Sequence, residues 1–262
     1  MKKRVLLATL ALTFGLAPEV MPAAAESPED KGLRLAREAD KANEGFVTER
    51  AAMTMDLINA HGDTTNRKVA IETLEGKDDG DRSKATFEWP ADVNGTKMLT
   101  WTHKKGDDDQ WLYLPAVKRV KRISSNNKSG SFMGSEFAYE DLASQEVEKY
   151  TYKFLADATV EGRDCHQIER VPVDKNSGYK RQIVWMDKEY RQPIRIDYYD
   201  RKSELLKTAI FSGHQKFGTL WRVGKIAVGN VQTKKRSVLI WTHRELGAKL
   251  DAASFAHTSL ED

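Results

Sequence analysis

Gln110-Trp111-Leu112-Tyr113-Leu114-Pro115-Ala116-Val117-Lys118-Arg119-Val120-Lys121-Arg122-Ile123 reads as two extended pieces with a break between them. Trp111 to Leu114 are strong β-formers. Pro115 cannot donate to a ladder and stops the first strand. Val117 to Ile123 resume it and carry Lys118, Arg119, Lys121 and Arg122. Ser124 to Ser131 follow without an apolar side chain. Phe132, Met133, Phe137 and Tyr139 then arrive together among Gly130, Gly134 and Ser135. Large apolar side chains set between glycines and serines suit a flap that covers an apolar space.

The same extended reading spreads outward from this stretch. Upstream, Ala51, Met53, Met55 and Leu57 alternate with Ala52, Thr54, Asp56 and Ile58, the period-two pattern of a half-buried strand. Turn signals at His61–Thr64, Lys77–Asp81, Asn94–Gly95 and Lys105–Asp109 separate Lys68–Leu74, Ser83–Trp89 and Thr96–His103. Downstream, Glu148–Thr159, Cys165–Val173, Tyr179–Met186, Ile194–Tyr199, Leu205–Phe217, Trp221–Val231 and Ser237–Arg244 read as further strands. Tyr139–Ser144 reads as a short helix, and Gly247–Asp262 as a tail docked by Leu250 and Phe255. Only Ser27 to Asn43 reads as a longer helix: Ser27 is an N-cap, Pro28 takes the first helical position, and Glu29 and Asp30 suit its positive end. The expected fold is mainly β (α+β): one domain over residues 26–262, a curved antiparallel half-barrel of about a dozen strands with a helical and loop lid. Its concave face is either filled by side chains or left as an apolar pocket.

The N-terminus reads as a secretory leader over residues 1–25. Lys2, Lys3 and Arg4 precede an apolar run from Val5 to Ala17 that is too short to span a bilayer, and Ala23-Ala24-Ala25 supplies a small-residue cleavage pattern. Cleavage would make Glu26 the first residue and place the protein in the periplasm. Removing Lys2, Lys3, Arg4 and Glu19 takes the formal net charge of the 262-residue chain from +3 to about +1. Nucleic-acid binding calls for a clear basic surplus, which is missing. Cys165 is the sole cysteine, so no internal disulfide forms. The six histidines show no metal-pair spacing, and Asp107-Asp108-Asp109 lacks the alternating ligands of a calcium loop. Ser131 lies between glycines but not in Gly-x-Ser-x-Gly. No catalytic residue, metal site or cofactor is expected.

Trp111 to Ala116, the basic strand, and Gly130-Ser131-Phe132-Met133-Gly134-Ser135-Glu136-Phe137 with Tyr139-Glu140-Asp141-Leu142 resemble the outer membrane lipoprotein-sorting protein family, a LolA-like branch of bacterial periplasmic proteins. The resemblance extends over nearly all of the chain after the leader. It implies a LolA/LolB-like incomplete barrel with a helical lid around a cavity for acyl chains.

Met53, Met55, Leu57, Trp111, Tyr113, Phe132, Met133, Phe137 and Tyr139 are the candidate wall and lid of that cavity. Lys118, Arg119, Lys121 and Arg122 are either a docking surface for anionic headgroups or an acidic partner, or charges that protect an edge strand from aggregation. The expected function is a non-enzymatic periplasmic carrier. It would take a lipid or lipoprotein acyl chains between envelope membranes, with peripheral membrane contact and an inner-membrane transporter or exporter as partner. The alternative is a non-enzymatic accessory subunit of an envelope transporter, its concave face filled. A carrier must release its load, so a mobile lid is expected.

Overall fold

The computed structural model describes residues 25–261. Nearly all of the leader read from residues 1–25 therefore lies outside the described residues.

Helix α1 spans Pro28–Lys41. The Ser27 hydroxyl accepts from the Asp30 amide at 3.0 Å, so a neutral cap and two acidic residues answer the free amides of the first turn. Fifteen strands follow: β1 (Thr48–Ile58), β2 (Thr64–Leu74), β3 (Arg82–Trp89), β4 (Lys97–Trp101), β5 (Asp109–Leu114), β6 (Arg119–Ile123), β7 (Tyr150–Val160), β8 (Arg163–Pro172), β9 (Tyr179–Asp187), β10 (Pro193–Asp200), β11 (Leu205–Ser212), β12 (Gln215–Phe217), β13 (Leu220–Arg222), β14 (Lys225–Asn230) and β15 (Arg236–Leu246).

Thirteen of them form one curved antiparallel sheet that does not close into a barrel, in the order β6-β5-β4-β3-β2-β1-β15-β14-β11-β10-β9-β8-β7. The β1–β6 meander makes one half and β7 onward the other. They meet where β1 pairs with the last strand, Met55 opposite Leu239. The small β12–β13 hairpin stands apart. Here Leu205–Phe217 and Trp221–Val231, read as two long strands, each divide. At the bend Gly213 and Gly224 face each other so closely that a Cβ on Gly224 would lie 2.5 Å from the Gly213 carbonyl oxygen. Only glycine lets the two backbones meet there.

This strand order has one large consequence. β6 and β7 are consecutive in the chain but occupy opposite edges of the sheet. The segment 124–149 between them must therefore cross from one edge to the other, as a strap over the inner face. Its expected Tyr139–Ser144 helix is a single 3-10 turn, Tyr139–Leu142. Asp141 accepts from the Ala138 amide at 2.7 Å and closes the turn.

The two edges are handled differently. α1 packs on β7 through Gly32, where an added Cβ would sit 2.8 Å from the Phe154 amide nitrogen. β6 is left uncovered, with Arg119, Lys121 and Arg122 exposed along it. Charge on an open edge opposes strand addition.

The core divides between the two faces of the sheet. The larger cluster gathers Met53, Met55, Val69, Phe87, Leu112, Val184 and Ile196 with Phe132 and Phe137 of the strap. On the other face Leu99, Phe255 and Leu260 are fully buried beside Trp101, Trp111, Tyr113 and Leu250. The C-terminal tail thus docks as two 3-10 turns, Ala252–Phe255 and His257–Leu260, on the outside of the sheet. Among the described residues no helix is long and apolar enough to cross a membrane.

Candidate functional site: a half-filled concave face

Register places the apolar residues of the inner face in rows across the strands. Ile168 on β8, Val184 on β9, Ile196 on β10, Ala209 on β11 and Val228 on β14 stand directly opposite one another in sequence. A second row runs Phe211, Ile226, Leu239 and Met55 from β11 to β1. Side chains in such rows touch laterally, so each row is a continuous apolar stripe.

Over the β1–β6 half these stripes are covered. The Phe132 ring packs 5.8 Å from Phe87 and 5.7 Å from Tyr139, centroid to centroid. Phe132 and Met55 are almost completely buried. Over the other half the first row is buried, and Met186, Phe211 and Ile226 are the floor side chains that keep partial exposure. A cavity of about 520 Å³ lies there, with Ile168, Val184, Met186, Ile196, Phe211 and Ile226 in its floor, and Ala36 and Ala39 of α1 with Phe137 above it. Sites of this size and apolar lining are typical of small-molecule ligands.

The strap that divides the two halves is bound to both. On the β1–β6 side, Arg67 donates to the Met133 carbonyl at 2.6 Å, and Gln110 to the Tyr139 carbonyl at 2.9 Å. On the other side, Lys207 of β11 donates to the Glu136 carbonyl at 2.8 Å and pairs with Asp141 at 2.6 Å. The Glu136 amide donates to Ser237 Oγ at 3.0 Å, and Tyr179 OH to Asp141 at 2.9 Å. Lys207 and Asp141 are 4% and 7% exposed, so this pair is buried and each charge depends on the other. Burial raises the Tyr179 hydroxyl well above its usual pKa and keeps it a donor. A lysine inside an apolar row of β11 carried no legible meaning in the sequence until the strap supplied its partner.

The mouth of the cavity is charged. Asp40 at the end of α1, Asp81 in the β2–β3 turn and Glu146 at the end of the strap converge there, with Lys104 from the β4–β5 turn. Desolvation is the main cause that raises all three carboxyls; repulsion from Asp81 and Asp40 adds to it at Glu146, from Glu44 and Glu148 at Asp40, and from Glu75 at Asp81. Glu146 is pushed up to about 7. None of these four was singled out in the sequence: isolated acidic and basic residues near turns look like ordinary solvated surface.

The sequence-predicted site residues are therefore distributed over three places. Phe137 lines the cavity. Met53, Met55 and Phe132, with Leu57, Met133 and Tyr139 packed against them, lie on the inner face but in its filled half. Trp111 and Tyr113 were expected in the same wall but are on the opposite face; Gln110 and Leu112 are the buried residues of β5 that alternate with them. Trp111 stacks on His257 of the tail at 5.4 Å. A period-two pattern identifies two faces without saying which one is concave. Of the basic group, Arg119, Lys121 and Arg122 line the open edge, Arg122 paired with Asp109, and Lys118 holds a left-handed turn at φ 46°.

Cys165 is fully buried, and burial pushes its thiol up to about 11, so it stays un-ionised and unreactive. Among the described residues no group of His, Cys, Asp or Glu is arranged to hold a metal.

With this geometry in view, comparison with known proteins places the chain. A family model described as an uncharacterized protein matches residues 79–262. An outer membrane lipoprotein-sorting protein domain from Vibrio parahaemolyticus is 44% identical, with a TM-score of 0.88 over 89% of this chain and 100% of that one. The chain belongs to the outer membrane lipoprotein-sorting protein family. A second solved structure, a DUF1329 family protein from Desulfovibrio piger, is 33% identical, with a TM-score of 0.85 over 89% of this chain and 99% of that one. A LolA superfamily protein from Nitrosomonas europaea is 17% identical at a TM-score of 0.68, over 86% of this chain and 97% of that one, and shows that the sorting-protein fold is LolA-like. Among curated proteins none matches the chain.

Proposed function

We propose that this protein is a non-enzymatic periplasmic carrier that takes a lipid or lipoprotein acyl chains into the cavity between α1 and the β8–β14 floor. It would pass them between envelope membranes. The observation that carries this reading is a cavity of about 520 Å³ floored by apolar side chains, in a fold of the lipoprotein-sorting type. Burial of acyl methylenes there supplies about 0.8 kcal/mol each, so a dozen methylenes provide roughly 10 kcal/mol before ordering costs. The strap is too well tethered to act as a door. α1, held along one edge strand, is the cover that can lift. The exposed β6 edge would face anionic headgroups or an acidic transporter surface during transfer.

The test is binding of a fluorescent fatty-acid probe. Wild type should bind at one or a few sites per chain. Ile226→Glu places an unpaired charge in the floor and should abolish binding while the protein stays folded, because water reaches that cavity. Retained binding by the folded variant would put the lipid elsewhere.

One observation favours a second reading, an accessory subunit of an envelope transporter: the β1–β6 half of the concave face is already filled by the strap. On that reading the wild type binds no probe, and the charged edge carries the function.

A further inference from the structure

The charge balance at the cavity mouth is uneven in a way that specifies a ligand. The cations near the mouth are mostly committed. Arg222 pairs with Glu49 at 3.2 Å, Arg191 with Glu38 at 3.6 Å, and Lys149 with Asp108. Arg170 donates to Gln182 at 2.6 Å and lies over the Tyr150 ring. The carboxylates are not committed. Asp81 accepts only from neutral donors, the Gly76 amide at 3.0 Å and the Ser144 hydroxyl at 3.2 Å. Asp40 has no side-chain hydrogen bond or ion pair among the described residues. Glu146 has none either, although it is only 7% exposed and lines the cavity. Gly80 makes room for it: a Cβ there would lie 2.9 Å from Glu146 Oε1.

Glu146 is the buried member of the trio, with Asp81 half-buried and Asp40 exposed beside it; a buried carboxylate without a partner is costly, and a cation brought to it removes that cost. We propose that the cavity selects amphiphiles with a cationic nitrogen headgroup, the apolar tail on the β8–β14 floor and the ammonium or guanidinium head among Asp40, Asp81 and Glu146. This rests on the cavity being the lipid site and adds the chemistry of its head end. A metal ion does not fit, since these groups lack metal-holding geometry. Glu44 and Glu148 act on Asp40 and Glu75 on Asp81, all reinforcing the negative field. Lys104 opposes it at Asp40 and Glu146, Lys149 at Glu146 and Arg222 at Asp81; since Lys149 and Arg222 are paired with Asp108 and Glu49, Lys104 is the group a ligand cation would outcompete.

Binding of a cation favours the ionised carboxylates, so affinity should rise with pH as Glu146 loses its proton near 7. The experiment titrates the full chain, below micellar concentrations, with three ligands that share a twelve-carbon tail: dodecylammonium, laurate and dodecyl maltoside. At pH 8 dodecylammonium should bind at least about tenfold more tightly than laurate, and the preference should shrink at pH 5.5. Glu146→Gln should weaken dodecylammonium about tenfold and leave dodecyl maltoside unchanged. Lys104→Gln should move the preference the opposite way, which general damage to the fold would not do. Equal or tighter binding of laurate, or indifference of both variants to the head group, overturns the inference and leaves the carrier reading standing. Binding of none of the three overturns both.

Discussion

At the residue scale, Glu146 and Met55 show what burial does to two kinds of side chain. Glu146 has a folded-state pKa raised from 4.5 to about 7, so the folded protein binds its proton more tightly than the unfolded chain does. The unfolded state binds fewer protons between those values, and stability must fall as pH rises from about 4.5 to about 7, then level off. Glu146→Gln should remove that slope and stabilise the protein at pH 8 by up to about 3 kcal/mol. Urea unfolding at pH 5 and pH 8 checks it; an unchanged difference between the two pH values would place the titration elsewhere. Met55 is 1% exposed beneath the strap. Met55→Glu should cost several kcal/mol and unfold the protein, unlike Ile226→Glu two strands away in the same row. Circular dichroism on the pair distinguishes the filled half of the face from the open half.

At the scale of elements, the strap and α1 divide the work of a lid. Lys207→Met would leave the strap's Asp141 buried without a cationic partner, held only by the neutral Ala138 amide and Tyr179 hydroxyl. The expected loss is about 3–5 kcal/mol, with part of it restored by adding Asp141→Asn, because the residual charge and not the missing bond is the larger cost. Denaturant midpoints of the two variants read this out. A second variant that does no better than the first would mean that the pair matters only through its geometry. α1 should behave in the opposite way. Its attachment to β7 depends on the close approach at Gly32. Gly32→Ala should push the helix off the strand, accelerate hydrogen exchange along α1 and speed probe release, with strap amides unaffected. Equal protection of α1 and the strap in both proteins would leave neither as a gate.

At the scale of the whole molecule, the sheet has one covered edge and one charged edge. Arg119→Glu with Arg122→Glu should weaken binding to anionic vesicles, most at low salt, where exposed charges are screened only beyond about 10 Å or more. Melting temperature should change little, since exposed charges contribute weakly and only the Arg122–Asp109 pair is lost. Vesicle flotation with parallel melting curves checks both; intact flotation with a collapsed melting temperature would make the edge charge purely structural.

Much of the architecture is legible in the residues themselves. The period-two runs, the turn glycines and the Ser27-Pro28 helix start are local signals, and local sterics and capping act within a few residues of each other. They were enough for a curved antiparallel sheet with one helix. The Phe132–Tyr139 cluster also announced an apolar segment that covers something. What it covers was decided only by the tertiary structure. The pairing of β1 with β15 sends β6 and β7 to opposite edges, and that long-range choice forces residues 124–149 across the inner face. The same choice puts Met55 under the strap and Ile226 in the cavity, although both stand in one row. It turns Trp111 outward to His257, and brings Asp40, Asp81 and Glu146 together from a helix end, a turn and the strap. Alternation tells a side chain which face it shares with its neighbours along a strand; curvature and strand order, set by β1–β15 contacts nearly two hundred residues apart in the chain, decide what that face looks upon.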